Sequence, residues 1–114
     1  MDINQLTENL ENLPAQIRTS ELAMIEAKGK LEDAELNYDV KLAFETVSAK
    51  AGNATEKKSM GILKAEAEQR LVLKASLEYE RKKAEFNFLT NRFASVRKIA
   101  NLLEKTYAPE SSGY

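Results

Sequence analysis

The sequence predicts an all-α fold, a long antiparallel helical hairpin (coiled coil) with a bend near residues 52–55. Three observations predict this fold. The 114 residues include only two prolines and four glycines, so few positions disfavour a helix. Apolar residues recur at alternating spacings of three and four in both halves of the chain, as in paired helices. The apolar positions of the two halves also match each other in register.

The first arm, residues 1–51, has five basic and ten acidic residues and therefore a net charge of −5. Its apolar positions run from Ile3 to Tyr38, and Ser20 is the one polar residue among them. Pro14 lies within this run and lacks a backbone donor. Either a kink or a new helix start at Pro14 would preserve the heptad phase, and we expect a break there.

The predicted tip of the hairpin, residues 52–55, lies within the sequence SAKAGNATEKK. Gly52 suits the left-handed conformation that often follows the end of a helix. Asn53, with Glu56 three residues later, has the pattern of a capping box at the start of the next helix. The chain is therefore expected to reverse direction at this point.

The second arm, residues 56–107, has twelve basic and seven acidic residues and therefore a net charge of +5. Its apolar positions run from Val72 to Tyr107, with Lys82 as the polar exception. Residues 1–107 are thus predicted to form one helical-hairpin domain. Residues 108–114 include a proline and small polar residues, which favour a flexible tail.

The two arms match in register, because residues that face each other in an antiparallel hairpin have position numbers with a constant sum. Leu6 faces Leu103 and Tyr38 faces Val72, and all eight apolar pairs sum to 109 or 110. The same sum places Glu35 near Lys74 and Asp39 near Arg70. We call the apolar positions that face the other arm the core seam: Leu6, Leu10, Leu13, Ile17, Met24, Leu31, Tyr38, Val72, Tyr79, Phe86, Leu89, Phe93, Val96 and Leu103.

Each arm also has a second apolar stripe, roughly opposite the core seam by helical angle. Two helices alone cannot bury two opposite faces, so the second stripe predicts self-association into a bundle of four or more helices, or a groove for a partner helix. We favour the homo-oligomer, and which stripe lies within the hairpin stays open. We call the second set the outer stripe: Leu22, Ile25, Leu36, Val40, Leu73, Leu77, Phe88, Ile99 and Leu102.

The composition argues against enzymatic chemistry. The chain has neither cysteine nor histidine, which removes the thiolate nucleophile, the commonest general base and the commonest metal ligand. No phosphate-binding, dinucleotide-binding or hydrolase motif is present. We expect no enzyme, cofactor or metal, and we interpret the acidic side chains of the first arm as an ion-pairing face: Glu32, Asp33, Glu35 and Asp39.

Apolar stretches are too short for a membrane span, and the N-terminus lacks the pattern of a signal peptide. We therefore expect a cytoplasmic protein without a membrane partner. Nucleic acid is a further candidate partner, because basic residues of the second arm could neutralise phosphates. The candidate phosphate contacts are Arg81, Lys82, Lys83, Arg92, Arg97 and Lys98.

The segment KASLEYERKKAEFNFLTNRFASVRKIANLLEK, residues 74–105, resembles small helical (coiled-coil) proteins encoded among the replication and recombination genes of bacteriophages. The resemblance rests on the spacing of alanine and tyrosine and on the closing NRFASVRKIANLLE. It implies a non-enzymatic accessory protein that acts near phage DNA metabolism in the host cytoplasm.

Three hypotheses for function follow. The first is a phage-encoded structural or adaptor protein that acts through self-association and protein–protein contacts. The second is a nucleic-acid-binding accessory of phage DNA replication or recombination that uses the basic residues of the second arm. The third is an inhibitor that docks on a host protein.

Overall fold

The structure, a computed structural model, describes residues 1–50 and 52–107. These residues form three α-helices: α1 (Ile3–Ser48), α2 (Ala54–Lys64) and α3 (Glu66–Tyr107). The predicted fold class, an all-α helical hairpin, is confirmed. The predicted flexible tail, residues 108–114, lies outside the described residues.

The chain folds as two compact units. The first unit combines Met1–Leu22 with the part of α3 that begins at Ala84, and the second unit is Ala23–Lys83. Each unit therefore contains segments of both long helices, α1 and α3.

The core of the first unit lies where the beginning of α1 packs against the end of α3. Leu6, Leu13 and Val96 are buried there, with exposed fractions of 7%, 2% and 2%. Both pairs that the constant sum predicts for them, Leu6 with Leu103 and Leu13 with Val96, fall within this cluster. Partly buried side chains surround it: Leu10, Leu89, Phe93, Ala100 and Leu103.

The predicted break at Pro14 is wrong, because α1 continues through this residue. A proline inside a helix removes one backbone hydrogen bond and strains the preceding turn, at a cost of about 3 kcal/mol. Leu10 and Leu13, in the turn before the proline, pack into the cluster around Val96. Their burial favours an unbroken helical phase and offsets the local cost.

A capping box that the sequence analysis missed begins α1. The backbone N–H of Gln5 donates to Asp2 Oδ1 at 2.7 Å, and the backbone N–H of Asp2 donates to Gln5 Oε1 at 3.1 Å. Two backbone donors that the helix leaves unpaired are thereby satisfied. The signal was present in the sequence, since an Asp followed three residues later by a Gln is a variant of this motif.

Ser20 occupies a buried position of α1 and exposes only 5% of its surface. Its hydroxyl oxygen has no hydrogen-bond partner among the described residues. A buried hydroxyl without a partner opposes folding, since it loses its hydrogen bonds to water.

We expect Ser20→Ala to raise the free energy of unfolding by about 1 kcal/mol, because it removes this hydroxyl and improves helix propensity. Urea denaturation followed by circular dichroism measures the change. Ser95→Ala is the matched control, since Ser95 is exposed in α3 and gains helix propensity alone. Equal gains from the two variants would contradict a cost of burying the Ser20 hydroxyl.

The turn of the second unit follows the end of α1 at Ser48, three residues before the predicted end of the first arm. Gly52 has a φ of +98°, which confirms the predicted left-handed conformation. Asn53 caps α2, since its side-chain oxygen accepts the backbone N–H of Glu56 at 2.9 Å. This contact is the Asn53 half of the predicted capping box.

The second arm is two helices rather than the single predicted helix, because the chain departs from helical geometry at Ala65 (φ −95°, ψ 13°). Ala65 is completely buried, and its N–H still donates to the Gly61 carbonyl oxygen at 3.0 Å. Gly61 lies close to the backbone of α1, where an added Cβ would come within 3.2 Å of the Thr46 nitrogen and 3.3 Å of the Leu42 oxygen. The buried Gly61 and Ala65 allow this close approach of α2 to α1.

We expect Gly61→Ala to lower the free energy of unfolding by about 1 kcal/mol, because overpacking costs about 1–3 kcal/mol and helix propensity recovers less than 1 kcal/mol. Gly29→Ala is the matched variant, since a Cβ added at Gly29 meets nothing within 4 Å. It should raise stability by about 0.5–1 kcal/mol through propensity alone. Thermal denaturation of both variants checks the prediction, and a stabilised Gly61→Ala protein would show that the helices do not approach closely at this point.

Candidate protein interface

All fourteen residues predicted for the core seam are buried or half-buried in the structure. Leu6, Leu13 and Val96 are buried, and the other eleven are half-buried. Phe86 and Phe93 belong to the half-buried group, as expected of side chains in a helix–helix seam.

All nine residues of the outer stripe are exposed. Their exposed fractions range from 38% for Ile99 to 64% for Leu77. Soluble monomers rarely expose long apolar patches, and such patches commonly mark binding surfaces. The outer stripe is therefore the candidate interface of this protein.

The structure adds exposed apolar residues that the sequence analysis left out of the outer stripe. Phe44 exposes 64% of its surface and Leu71 exposes 58%. Phe44 lies one helical turn after Val40, so its spacing from the outer stripe was a usable signal. Leu71 lies near the edge of the core face of α3 by helical angle, and its exposure depends on how closely the helices pack.

An open groove of about 1080 Å³ runs along α1 and α3 within the second unit. Leu36 and Val40 of the outer stripe line it together with Phe44 and Leu71. Charged residues of both signs line it as well: Lys30, Asp33, Lys41, Glu68, Lys74 and Glu78.

Some of the charged residues in and near the groove form ion pairs. Lys41 Nζ lies 3.1 Å from Glu45, and Glu45 in turn lies 3.8 Å from Lys64 Nζ on α2. The contact between Glu45 and Lys64 agrees with the constant sum of 109. Glu68 differs from these residues, because one of its carboxylate oxygens is buried with no hydrogen-bond partner among the described residues.

Two predicted ion pairs between the arms, Glu35 with Lys74 and Asp39 with Arg70, are absent from the described residues. Arg70 Nη2 instead contacts Glu66 Oε1 at 2.7 Å within α3. A neighbour one helical turn away is reached with little loss of side-chain freedom, whereas a pair across helices must order two long side chains.

Glu78 and Arg81 form a similar local pair in α3, at 2.6 Å. The hydrogen bond from Arg81 and the positive charges of Arg81, Lys82 and Lys30 lower the pKa of Glu78 below its ordinary value of 4.5, against a smaller opposing effect of burial. A lowered pKa means that the pair stabilises the fold above about pH 4.5 and that this contribution is lost as the pH falls through the lowered pKa.

We expect Arg81→Gln to raise the pKa of Glu78 toward its ordinary value, because it removes the charged donor. An NMR titration of the Glu78 carboxyl carbon measures the pKa. Arg70→Gln serves as the control, since Arg70 pairs with Glu66 and should leave the Glu78 titration unchanged. An unshifted titration in Arg81→Gln would exclude the hydrogen bond in solution.

The basic residues predicted to contact nucleic acid have varied surroundings. Arg81 bonds to Glu78, and Lys82 is half-buried. Arg92 Nη2 donates to Asn9 Oδ1 at 3.4 Å, and the Arg97 guanidinium lies 5.8 Å from the centre of the Phe93 ring. Lys83 and Lys98 are exposed. Among the described residues, Arg92, Arg97 and Lys98 form no ion pair with a carboxylate.

The acidic residues Glu32, Asp33, Glu35 and Asp39 are exposed along α1. Within residues 1–50 and 52–107, no group of three or more Asp, Glu, His or Cys side chains is placed to hold a metal ion. In the same ranges, no helix combines the length and apolar character that crossing a membrane requires.

Comparisons with protein-family models, with curated protein sequences and with solved structures each found no significant match.

Proposed function

We propose that this chain is a non-enzymatic structural or adaptor protein that acts through self-association and protein–protein contacts. One observation carries the proposal: all nine outer-stripe residues, which repeat at helical spacing on both arms, are exposed in the single chain. Exposed apolar surface of this extent favours association, because burying it removes it from water. A symmetric homo-oligomer is the commonest way in which proteins bury such a surface. We extend the proposal to a bacteriophage origin on the resemblance of residues 74–105.

The molar mass in solution tests the proposal. Light scattering at micromolar concentration is expected to give a multiple of the 12.8 kDa chain mass. Dilution should lower the measured mass, since an association equilibrium depends on concentration. A constant 12.8 kDa across the accessible concentration range would refute self-association.

A nucleic-acid-binding accessory is the second candidate function, and it is favoured by a specific observation. Arg92, Arg97 and Lys98 lie close together along α3, are exposed, and form no ion pair among the described residues. Assembly would bring several copies of this group together, so that weak phosphate contacts add through multivalency.

Binding to labelled single- and double-stranded DNA at low ionic strength tests the second candidate. If the group contacts phosphates, Arg97→Gln/Lys98→Gln should weaken binding and lower the salt slope by about one for each lost contact. Lys28→Gln/Lys50→Gln is the control, because it also removes two positive charges, one in α1 and one just after it. This double variant should weaken DNA binding less. Undetectable binding by the wild-type oligomer at low salt would exclude this function.

A further inference from the structure

The outer stripe of the second unit has one part on each long helix. The α1 face consists of Leu36 and Val40, which each expose 61% of their surfaces, and the α3 face consists of Leu73 and Leu77, which expose 62% and 64%. On each helix the stripe lies roughly opposite the core seam, through which α1 and α3 face each other. The two faces therefore point away from each other, on opposite flanks of the second unit.

The charged side chains nearest to the α1 face by helical angle are acidic, and they are exposed: Glu32, Asp33 and Asp39. None of the three forms an ion pair among the described residues. Lys30 and Lys41 lie farther round the helix, and each pairs with a glutamate of α1. The α1 face is thus an apolar strip between unpaired carboxylates.

The α3 face lies in a shallow depression of about 380 Å³. Three basic residues and one acidic residue line this depression: Arg70, Lys74, Arg81 and Glu78. Both arginines are bonded to glutamates of α3, whereas Lys74 is exposed and has no ion pair within residues 1–50 and 52–107. The opposite side of the α3 face has one charge of each sign, Glu80 and Lys83. Lys74 therefore offers a free ammonium group to a carboxylate of another copy.

We infer that the α1 face of one copy docks on the α3 face of the next copy, in a head-to-tail contact. A two-fold pairing of equal faces would bring the carboxylates of two α1 faces together, whereas the unlike pairing brings carboxylates to the basic side of an α3 face. Because the two faces lie on opposite flanks, a dimer keeps one free face at each end, and assembly continues until a ring closes. The inference rests on the proposed self-association and specifies the surfaces that it uses.

The levels of residues along the helices give the register of this contact. The 3.8 Å contact between Glu45 and Lys64 places residues whose numbers sum to 109 at the same level of the second unit. Leu36 is therefore level with Leu73. Rotation about an axis parallel to the helices preserves these levels, so Leu36 meets Leu73 of the partner subunit in a ring.

The same rotation brings Asp33 close to Lys74 of the partner subunit. Both residues border the groove, so they lie on the same side of the second unit. By the sum of 109, Lys74 is level with residue 35, two positions from Asp33. Two residues of an α-helix rise about 3 Å, a distance that these side chains span easily. The carboxylate and the ammonium group, both unpaired in the single chain, would form an ion pair between copies.

Two variants that each damage one face test the head-to-tail contact. Leu36→Glu should block the α1 face and Leu73→Glu the α3 face, so each variant alone should associate at least about tenfold more weakly than wild type. An equimolar mixture should form a one-to-one dimer and nothing larger, because the intact α1 face of one variant fits the intact α3 face of the other. Analytical ultracentrifugation measures the masses and affinities. Native mass spectrometry, with one variant isotopically labelled, identifies the heterodimer.

Leu63→Glu is the matched control, since Leu63 exposes 71% of its surface and belongs to neither face. It should associate like wild type, and circular dichroism should show unchanged helicity in all three variants. A mixture that stays monomeric or grows beyond a dimer, or an effect of only one of the two face variants, would overturn the head-to-tail contact alone. If wild type is monomeric, the proposed self-association fails, and this inference fails with it.

Charge reversal tests the register. Asp33→Lys should weaken association, because it sets an ammonium group against Lys74 of the partner subunit, and Lys74→Asp should do so with two carboxylates. The double variant Asp33→Lys/Lys74→Asp should regain most of the affinity, since it restores the pair with reversed signs. Glu35→Lys is the matched control, because Glu35 is exposed on α1 away from the outer stripe. A double variant that associates no better than the single variants would contradict this register.

Discussion

Leu13→Ala is expected to lower the free energy of unfolding by about 3 kcal/mol, since Leu-to-Ala changes in cores cost about 2–5 kcal/mol. Leu13 exposes 2% of its surface and packs against Val96, which is equally buried. The substitution leaves a cavity in the core cluster of the first unit. Few side chains among residues 1–50 and 52–107 are fully buried, so this cluster should account for much of the stability. Urea denaturation followed by circular dichroism measures the loss.

Leu63→Ala is the matched control for Leu13→Ala. Leu63 lies in α2, exposes 71% of its surface and belongs to neither the core seam nor the outer stripe. Surface substitutions of this kind usually change stability by less than about 0.5 kcal/mol. All unfolding curves should be recorded at one protein concentration, because self-association would add to the apparent stability. Similar losses in the two variants would contradict the placement of Leu13 in the core.

The sequence was informative about the fold because heptad spacing and burial have a common cause. A residue repeated every three or four positions returns to the same helix face, so the facing arm covers it. Leu6, Leu13 and Val96 follow this rule and are buried together. The constant sum of facing positions added the register, and the contact of Glu45 with Lys64 agrees with it.

The spacing of apolar residues does not predict the remaining features of the fold, because they depend on packing and side-chain entropy. The continuity of α1 at Pro14 reflects packing of the adjacent turn, which offsets a local penalty. The interruption at Ala65 lies one turn after Gly61, which closely approaches Thr46 of α1. The heptad pattern does not predict the distance between two helices, so it did not predict this interruption. Arg70 pairs with Glu66 rather than Asp39, because local ion pairs cost less side-chain entropy.

The candidate interface was predictable in its position but not in its shape. Helical spacing located Leu36 and Val40 on an outer face, and both are exposed. The groove beside them requires Leu71 from α3, whose exposure follows from the packing of the two helices. Its charge layout likewise depends on which residues of α1 and α3 lie at the same level.

Phe88→Glu is expected to reduce self-association and to leave the hairpin folded, whereas Phe93→Glu is expected to unfold the first unit. The two residues are five positions apart in α3, and the substitution is identical. Phe88 exposes 63% of its surface on the outer stripe, while Phe93 packs against the cluster of Leu6, Leu13 and Val96. Phe93 is half-buried, and a charge that packing removes from water is unfavourable, so Glu should be tolerated far better at the exposed Phe88.

Arg97 could form an ion pair with a glutamate at position 93 and so reduce the loss of stability. Its guanidinium lies over the Phe93 ring, and a glutamate at position 93 would be spaced four residues before it in the helix. Such a pair stabilises a helix by about 0.2–0.5 kcal/mol, which is far less than the roughly 3 kcal/mol lost with a packed Phe side chain. Phe93→Glu should therefore lose helicity and melt at a lower temperature in spite of the new pair.

Circular dichroism and light scattering together distinguish the two outcomes. Phe88→Glu should keep the helical signal of wild type and show a lower molar mass at the same concentration, because a charge on the outer stripe opposes its burial between copies. Phe88→Leu is the conservative control and should keep both properties. If Phe88→Glu and Phe93→Glu both remain folded with the molar mass of wild type, neither the core seam nor the outer stripe has the role assigned to it.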